Sequence, residues 1–200
     1  MHQPISKNTA TGFYTLGIAP ALLGALDALQ FTVPTPIQAQ AIPIAIEGKD
    51  LIGIAQTGTG KTLAFGIPMI QRLAQVKGRG LVLLPTRELA LQVDEALRMV
   101  GSVVKLRTAV LIGGAAMGPQ LAALQKNPHI VVATPGRLID HMEQKNISLA
   151  DTRILVLDEA DRMLDMGFLP QLRRVLQALP KEKQTMLFSA TMPSDIVRIA

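Results

Sequence analysis

The chain contains no cysteine, which excludes a disulfide framework and any thiolate metal site. Its three histidines, His2, His129 and His141, show no metal-ligand spacing, which argues against zinc chemistry. No apolar run approaches the length of a membrane span, and the N-terminal MHQPISKNTATG is too polar for the apolar region of a signal peptide. The expectation is a cytoplasmic protein without a membrane partner. Internal repeats, low-complexity tracts and linkers are lacking as well, so nothing in the sequence divides the chain.

What is present fits one domain: 200 residues, of which 48% are hydrophobic, enough for a sizeable core. Residues 1–12 are expected to be flexible. Lysine and arginine number 20 against 15 acids, a net charge of +5 that permits a polyanionic partner without requiring one. Short aliphatic runs alternate with helix-length amphipathic segments, the pattern of parallel βα units. The predicted strands are 51–55, 81–84, 108–112, 130–133, 154–157 and 185–188, all apolar on both faces, as expected where helices cover both sides of a parallel sheet. Helices are predicted over 62–75, 88–100, 120–125, 137–143 and 170–179, with two more before the first strand and a closing one capped by Ser194. The fold class is therefore α/β, a mostly parallel central sheet with helices on both faces. Ligands of such sheets bind beyond the carboxyl ends of the strands.

Directly after the first predicted strand comes AQTGTGKT, Ala55 to Thr62. A strict phosphate-binding loop has glycine where this chain has Ala55, yet a GTGKT string between a buried strand and an amphipathic helix is the context such a loop requires. Gln56, Thr57, Gly58, Thr59 and Gly60 would curl their N–H groups around phosphate oxygens. Lys61 would reach the outer phosphates, and the Thr62 hydroxyl would ligate magnesium. The other strong signal is VLDEADRMLDMGF, Val156 to Phe168, with Asp158, Glu159 and Asp161 following an aliphatic run. Acids at a helix start explain one of them. Convergence with a phosphate loop on one sheet edge suggests more. Nucleotide-bound magnesium takes only one or two protein carboxylates, a role suited to Asp158, and Glu159 beside it is placed to polarise an attacking water. Together the two motifs imply nucleotide hydrolysis.

The letters DEAD at Asp158 to Asp161 and the loop AQTGTGKT resemble the Walker B and Walker A motifs of the DEAD-box family of ATP-dependent RNA helicases. The similarity runs through nearly the whole chain. It implies a RecA-like domain, ATP and magnesium as ligands, and RNA as partner. FTVPTPIQ, Phe31 to Gln38, resembles the family's adenine-reading Q motif, with Phe13 upstream. By that resemblance Phe31 stacks on adenine and Gln38 pairs with the base edge. The family usually has glycine before that phenylalanine, where this chain has Gln30. Read without the family, Phe13 and Phe31 are equally well core residues. PTREL from Pro85 (with Thr86 and Arg87), the pair Gly113 and Gly114, and TPGR (Thr134, Pro135, Gly136 and Arg137) each follow a predicted strand and match the family's RNA track. Thr86 and Thr134 are placed as helix caps, and free helix N-termini with an arginine seat phosphates rather than bases. The binding so implied is largely independent of RNA sequence. SAT, Ser189 to Thr191, matches the motif that couples hydrolysis to unwinding, its two hydroxyls within reach of Asp161. The methionines read as packing residues.

In this family a second RecA-like domain supplies arginines to the phosphoryl group. The resemblance therefore implies that residues 1–200 are the first domain, able to bind nucleotide but poor at hydrolysing it alone. The DMGF continuation, Asp165 to Phe168, is closest to bacterial RhlE-type members. Two other readings stay open on the residues: a DNA-directed helicase or translocase of the same superfamily, and a nucleotide-switched binding module that does not turn over.

Overall fold

The computed structural model describes residues 12–199, so the flexibility expected of residues 1–12 lies outside the described residues except for Gly12, which opens a short 3-10 helix, Gly12–Thr15. Six strands form one wholly parallel sheet: β1 (Leu51–Ile54), β2 (Arg79–Leu83), β3 (Thr108–Leu111), β4 (Ile130–Ala133), β5 (Thr152–Leu157) and β6 (Gln184–Ser189), in the order β1-β6-β5-β2-β4-β3. Each sequence-predicted strand matches one of these, with ends shifted by a residue or two. Between and around them lie α1 (Pro20–Ala28), α2 (Pro36–Ile46), α3 (Lys61–Leu73), α4 (Arg87–Gly101), α5 (Met117–Gln125), α6 (Pro135–Glu143), α7 (Ala160–Asp165), α8 (Leu169–Ala178) and α9 (Ser194–Ile199).

Period-two alternation along the strands builds two cores, one on each face. Val82, Val132, Val156 and Met186 point to the side packed by α1 to α4, where Leu26, Ile42, Phe65 and Leu97 are buried. Leu83, Val131, Leu155 and Leu187 point to the other, packed by Leu138 of α6, Met163 of α7, Leu172 of α8 and Ile196 of α9. Central strands are buried on both faces because helices cover both. The edge strand β1 departs from that expectation: Ile52 is 48% and Ile54 53% exposed, and Ile52 lines a surface cleft with Leu187 and Val197 of α9. Helix α7, six residues beginning just past Glu159, has no counterpart in the predicted helices; its brevity leaves almost no periodic signal.

One departure from the family pattern resolves at the backbone. Gln30 takes φ = 62°, the left-handed region where glycine is favoured. The turn before Phe31 therefore forms without the glycine, at a cost of about 1 kcal/mol.

Candidate functional site

Because every strand is parallel, all six carboxyl ends open on one edge of the sheet, and the sheet order sorts the motifs along it. The neighbours β1, β6 and β5 carry the Ala55–Thr62 loop, Ser189–Thr191 and Asp158–Asp161. The neighbours β2, β4 and β3 carry Pro85–Arg87, Thr134–Arg137 and Gly113–Gly114. The two groups of motifs thus occupy adjoining halves of one shelf.

In the first half the loop after β1 turns on Gly58 (φ = 79°) and Gly60 (φ = 83°), both left-handed, so that Gly60 hands the chain directly into α3. A side chain at Gly60 is excluded twice over: by its φ, and because a Cβ there would stand 2.5 Å from Gln38 Nε2. Thr59 closes the turn by donating its hydroxyl to the Gln56 carbonyl at 2.6 Å. Gln56, Thr57 and Gly58 are exposed at the tip. Gln38 is buried and tied at both ends of its amide, accepting from Thr35 N at 2.9 Å and donating to the Gly60 carbonyl at 3.1 Å. One donor and one acceptor site of that amide remain uncommitted. Phe31 is 40% exposed. Phe13, expected with it on the base, is instead 3% exposed and packed in the core, so it offers no free ring face here.

Lys61 begins α3 and folds inward, its Nζ 2.7 Å from Glu159 Oε1 and 3.4 Å from Asp158 Oδ1, with all three residues buried. Burial alone would favour the neutral amine, but the Asp158 and Glu159 carboxylates outweigh it and raise the lysine pKa above its ordinary value. Burial raises the Asp158 pKa, and Lys61 opposes that shift. Glu159 sits at φ = 54°, ψ = 44°, left-handed and strained by about 1–2 kcal/mol. That conformation turns its carboxylate back to Lys61, while its N–H donates to Asp158 Oδ1 at 2.9 Å. The acidic run divides between two settings. Asp161 lies in the first turn of α7, where acids are favoured, whereas Asp158 and Glu159 precede the helix and pair with the loop lysine.

Asp161 reaches across to β6. Its carboxylate accepts from the Thr191 hydroxyl at 3.0 Å and the Thr191 N–H at 3.1 Å. Ser189 bears on the same residue, its hydroxyl oxygen also accepting from the Asp161 backbone N–H at 3.1 Å. Among the described residues no cluster of three or more acids, histidines and cysteines is arranged to enclose a metal ion. Thr62, half-buried in the first turn of α3, and the buried Asp158 each offer an oxygen donor of the kind magnesium takes when it keeps most of its waters.

In the second half, Thr86 caps α4, its hydroxyl accepting from Leu89 N at 3.3 Å. Thr134 occupies the same position on α6 but makes no side-chain cap bond. Arg87 is exposed and donates to the Gly114 carbonyl at 3.4 Å; Arg137 donates to the Ala115 carbonyl at 2.8 Å. Gly113, Gly114 and Gly136 are exposed, whereas Pro85 and Pro135 are buried and shape the chain instead of presenting a surface. Sequence reasoning did not single out Gln120, which donates to the Ile112 carbonyl just before the glycine pair, nor His141 and Asn146 bonded in line with it; a histidine on the apolar face of the amphipathic α6 was the one signal. Cavities of about 560 Å³ and 590 Å³ lie beside β3 and at the amino ends of β2 and β4, away from this shelf.

Comparison with known proteins matches residues 35–199 to the DEAD/DEAH box helicase family. The chain is 52% identical over 197 residues to an ATP-dependent rRNA helicase RRP3 of Pyricularia oryzae, covering 96% of this chain and 37% of that protein. It is 50% identical to the RRP3 of Coccidioides immitis, covering 97% and 42%. Among solved structures, a DEAD box protein from Methanococcus jannaschii superposes with a TM-score of 0.89 at 39% identity, over 94% of this chain and 52% of that one. A hypothetical ATP-dependent RNA helicase from Sulfolobus tokodaii gives 0.84 at 36%, over 90% and 53%. The chain spans about two fifths of the length of the curated relatives it matches.

Proposed function

The chain belongs to the DEAD/DEAH box helicase family, and from that membership we propose that residues 1–200 are the first of two RecA-like domains of an ATP-dependent RNA helicase, the half that binds ATP and magnesium. The observation that carries this reading is the buried Lys61 between Asp158 and Glu159, at the mouth of a glycine loop with left-handed turns. A lysine held charged by two carboxylates is ready to exchange them for phosphate oxygens, and that exchange releases Glu159 to accept a proton from the attacking water. Gln56 to Thr62 supply N–H groups and hydroxyls to the phosphates. Phe31 stacks on the adenine, and Gln38 uses its remaining donor and acceptor on the base edge. Thr62 and Asp158 hold the magnesium ion, whose bound charge would offset that of the phosphates.

RNA lies along the other half of the shelf, its sugar-phosphate backbone against Thr86, Arg87, Gly113, Gly114, Thr134, Gly136 and Arg137, with Pro85 and Pro135 shaping the path. Asp161, Ser189 and Thr191 join the ends of β5 and β6 and relay the state of the nucleotide to the second domain. A cytoplasmic location belongs to the same proposal and rests on the helicase reading; no helix among the described residues is long and apolar enough to cross a membrane. The finer RhlE-type placement rests on Asp165–Phe168 alone, and the relatives described above are fungal and archaeal.

Calorimetric titration of Mg-ADP and Mg-GDP into the chain and its Gln38→Ala variant tests the reading. ADP should bind and GDP should not, with the variant weakened roughly tenfold or more, as loss of a paired amide contact implies. Equal binding of both nucleotides, unchanged by the substitution, would remove adenine recognition and with it the reason to prefer this reading over another phosphate-loop enzyme.

A further inference from the structure

Behind the Gly113–Gly114 pair three buried or half-buried polar side chains form an unbroken chain of hydrogen bonds that the reading above does not use. Gln120, in the first turns of α5, is 6% exposed and donates its Nε2 to the carbonyl of Ile112, the residue just before Gly113, at 2.9 Å. Its Oε1 therefore faces His141 Nε2, also at 2.9 Å, and His141, in the last turn of α6, is fully buried. Since an amide oxygen only accepts, His141 carries its proton on Nε2, which leaves Nδ1 to accept from Asn146 Nδ2 at 3.0 Å. The ring is neutral in this arrangement, and burial, then Arg137, lowers its pKa in the same sense, against a smaller opposing pull from Asp140.

The consequence falls on the loop. Three carbonyls of this segment are held by side chains: Ile112 by the buried Gln120, Gly114 by Arg87 and Ala115 by Arg137. No peptide bond among the described residues is cis, and in a planar trans peptide the N–H points opposite to the C=O. The N–H of Gly113 is accordingly turned away from the buried Gln120 amide, and Gly113 and Gly114 are exposed. A backbone N–H presented outward from a turn can donate to an anion. Of the three anchors, Arg87 and Arg137 are themselves placed on the nucleic-acid path, whereas Gln120 is buried beneath it.

We propose that Gln120 and His141 are positioning residues that hold the Gly113–Ala116 loop in the conformation that accepts an RNA phosphate, so that they set RNA affinity without touching RNA or nucleotide. The proposal rests on the reading of Gly113 and Gly114 as part of the RNA track. It distinguishes this pair from ordinary core polar residues, whose removal would weaken the whole domain without singling out one ligand.

The test uses the 200-residue chain with His141→Leu, Gln120→Met, the double variant, the hydrogen-bonding replacement His141→Gln, and Asn146→Ala, which sits at the outer end of the chain of bonds and spares the core. Three readouts are taken: the backbone amide resonances of Gly113 and Gly114 without ligand, affinity for a fluorescent single-stranded oligouridine, and affinity for Mg-ADP. The expected result is that His141→Leu and Gln120→Met shift both glycine resonances and weaken oligouridine binding roughly tenfold while Mg-ADP affinity stays within about twofold. The double variant should lose no more than either single one, because residues of one hydrogen-bonded chain are not additive. His141→Gln should recover most of the loss, and Asn146→Ala should show a smaller loss of the same kind. Glycine resonances that do not move in any variant, or RNA and ADP affinities that fall together, overturn the positioning role. A parent chain that ignores oligouridine while its variants still move the glycine resonances overturns the RNA reading beneath it instead.

Discussion

Within Asp158–Asp161 each acid meets a different environment, and their responses to pH separate accordingly. Burial alone would raise the Asp161 pKa, but hydrogen bonds from the Thr191 hydroxyl, the Arg162 N–H, Ser189 and the Thr191 N–H outweigh it and leave the carboxyl below its ordinary value of 3.8. Its contribution to stability is therefore complete above the ordinary value and is lost as the pH falls through the lower, folded one. Asp158 has the opposite sign: its raised pKa means the folded chain takes up a proton first, so stability rises as pH falls towards 3.8. Comparing the wild type with Asp161→Asn isolates the first effect, because Asp158 is common to both. Urea denaturation should show the variant less stable near neutrality and the gap closing towards about pH 2. A gap that is the same at every pH would mean that the Asp161 charge contributes nothing to joining β5 and β6.

At the scale of elements, one glycine in β1 makes room for the Phe188 ring of the paired strand β6. A Cβ on Gly53 would stand 2.6 Å from both Cδ1 and Cε1 of Phe188, whose ring packs at 5.6 Å on that of Phe65 beneath α3. The phenylalanine is fully buried and cannot swing into solvent. Gly53→Ala should therefore cost about 1–3 kcal/mol, the usual range for overpacking a filled core, read as a lower urea midpoint. Combining it with Phe188→Leu should lose less than the two single changes summed, and strict additivity would exclude the contact as the cause. The strand LIGI itself was plain in the sequence, as were the other five, because continuous aliphatic runs and intervening amphipathic helices leave strong periodic signals. Its neighbours were not. Period and composition say nothing of which strands pair, so the order that puts Ser189 and Asp158 beside the phosphate loop became visible only in the fold. Burial of Phe13, Pro85 and Pro135 was hidden for the same reason: a motif names residues on a segment, not the face each one turns. The exposed Ile52 and Ile54 looked like core because an edge strand and a central strand carry the same letters.

For the whole molecule, the sheet order places the proposed nucleotide motifs after β1, β6 and β5 and the proposed track motifs after β2, β4 and β3, on one edge of a single sheet. A shelf that is open on one side binds but does not enclose. Around the phosphate site Lys61 is the cation facing Asp158 and Glu159, and its charge is already matched by theirs. Arg87 and Arg137, the arginines of the track motifs, are committed to the carbonyls of Gly114 and Ala115 on the other half of the shelf. Charge developing on a transferring phosphoryl group is expected to depend on arginines of a second domain, a contribution worth roughly a thousandfold or more in rate. Residues 1–200 assayed alone should bind Mg-ATP yet release phosphate at a rate that single-stranded RNA does not raise. Joined to a second RecA-like domain taken from a relative in the same family, the same residues should gain about three powers of ten, with RNA dependence. Phosphate release under saturating Mg-ATP, with and without oligouridine, decides between these outcomes. RNA-stimulated turnover by the 200 residues alone would place the missing positive charge within this chain, and Arg87 and Arg137 would then be the first side chains to substitute.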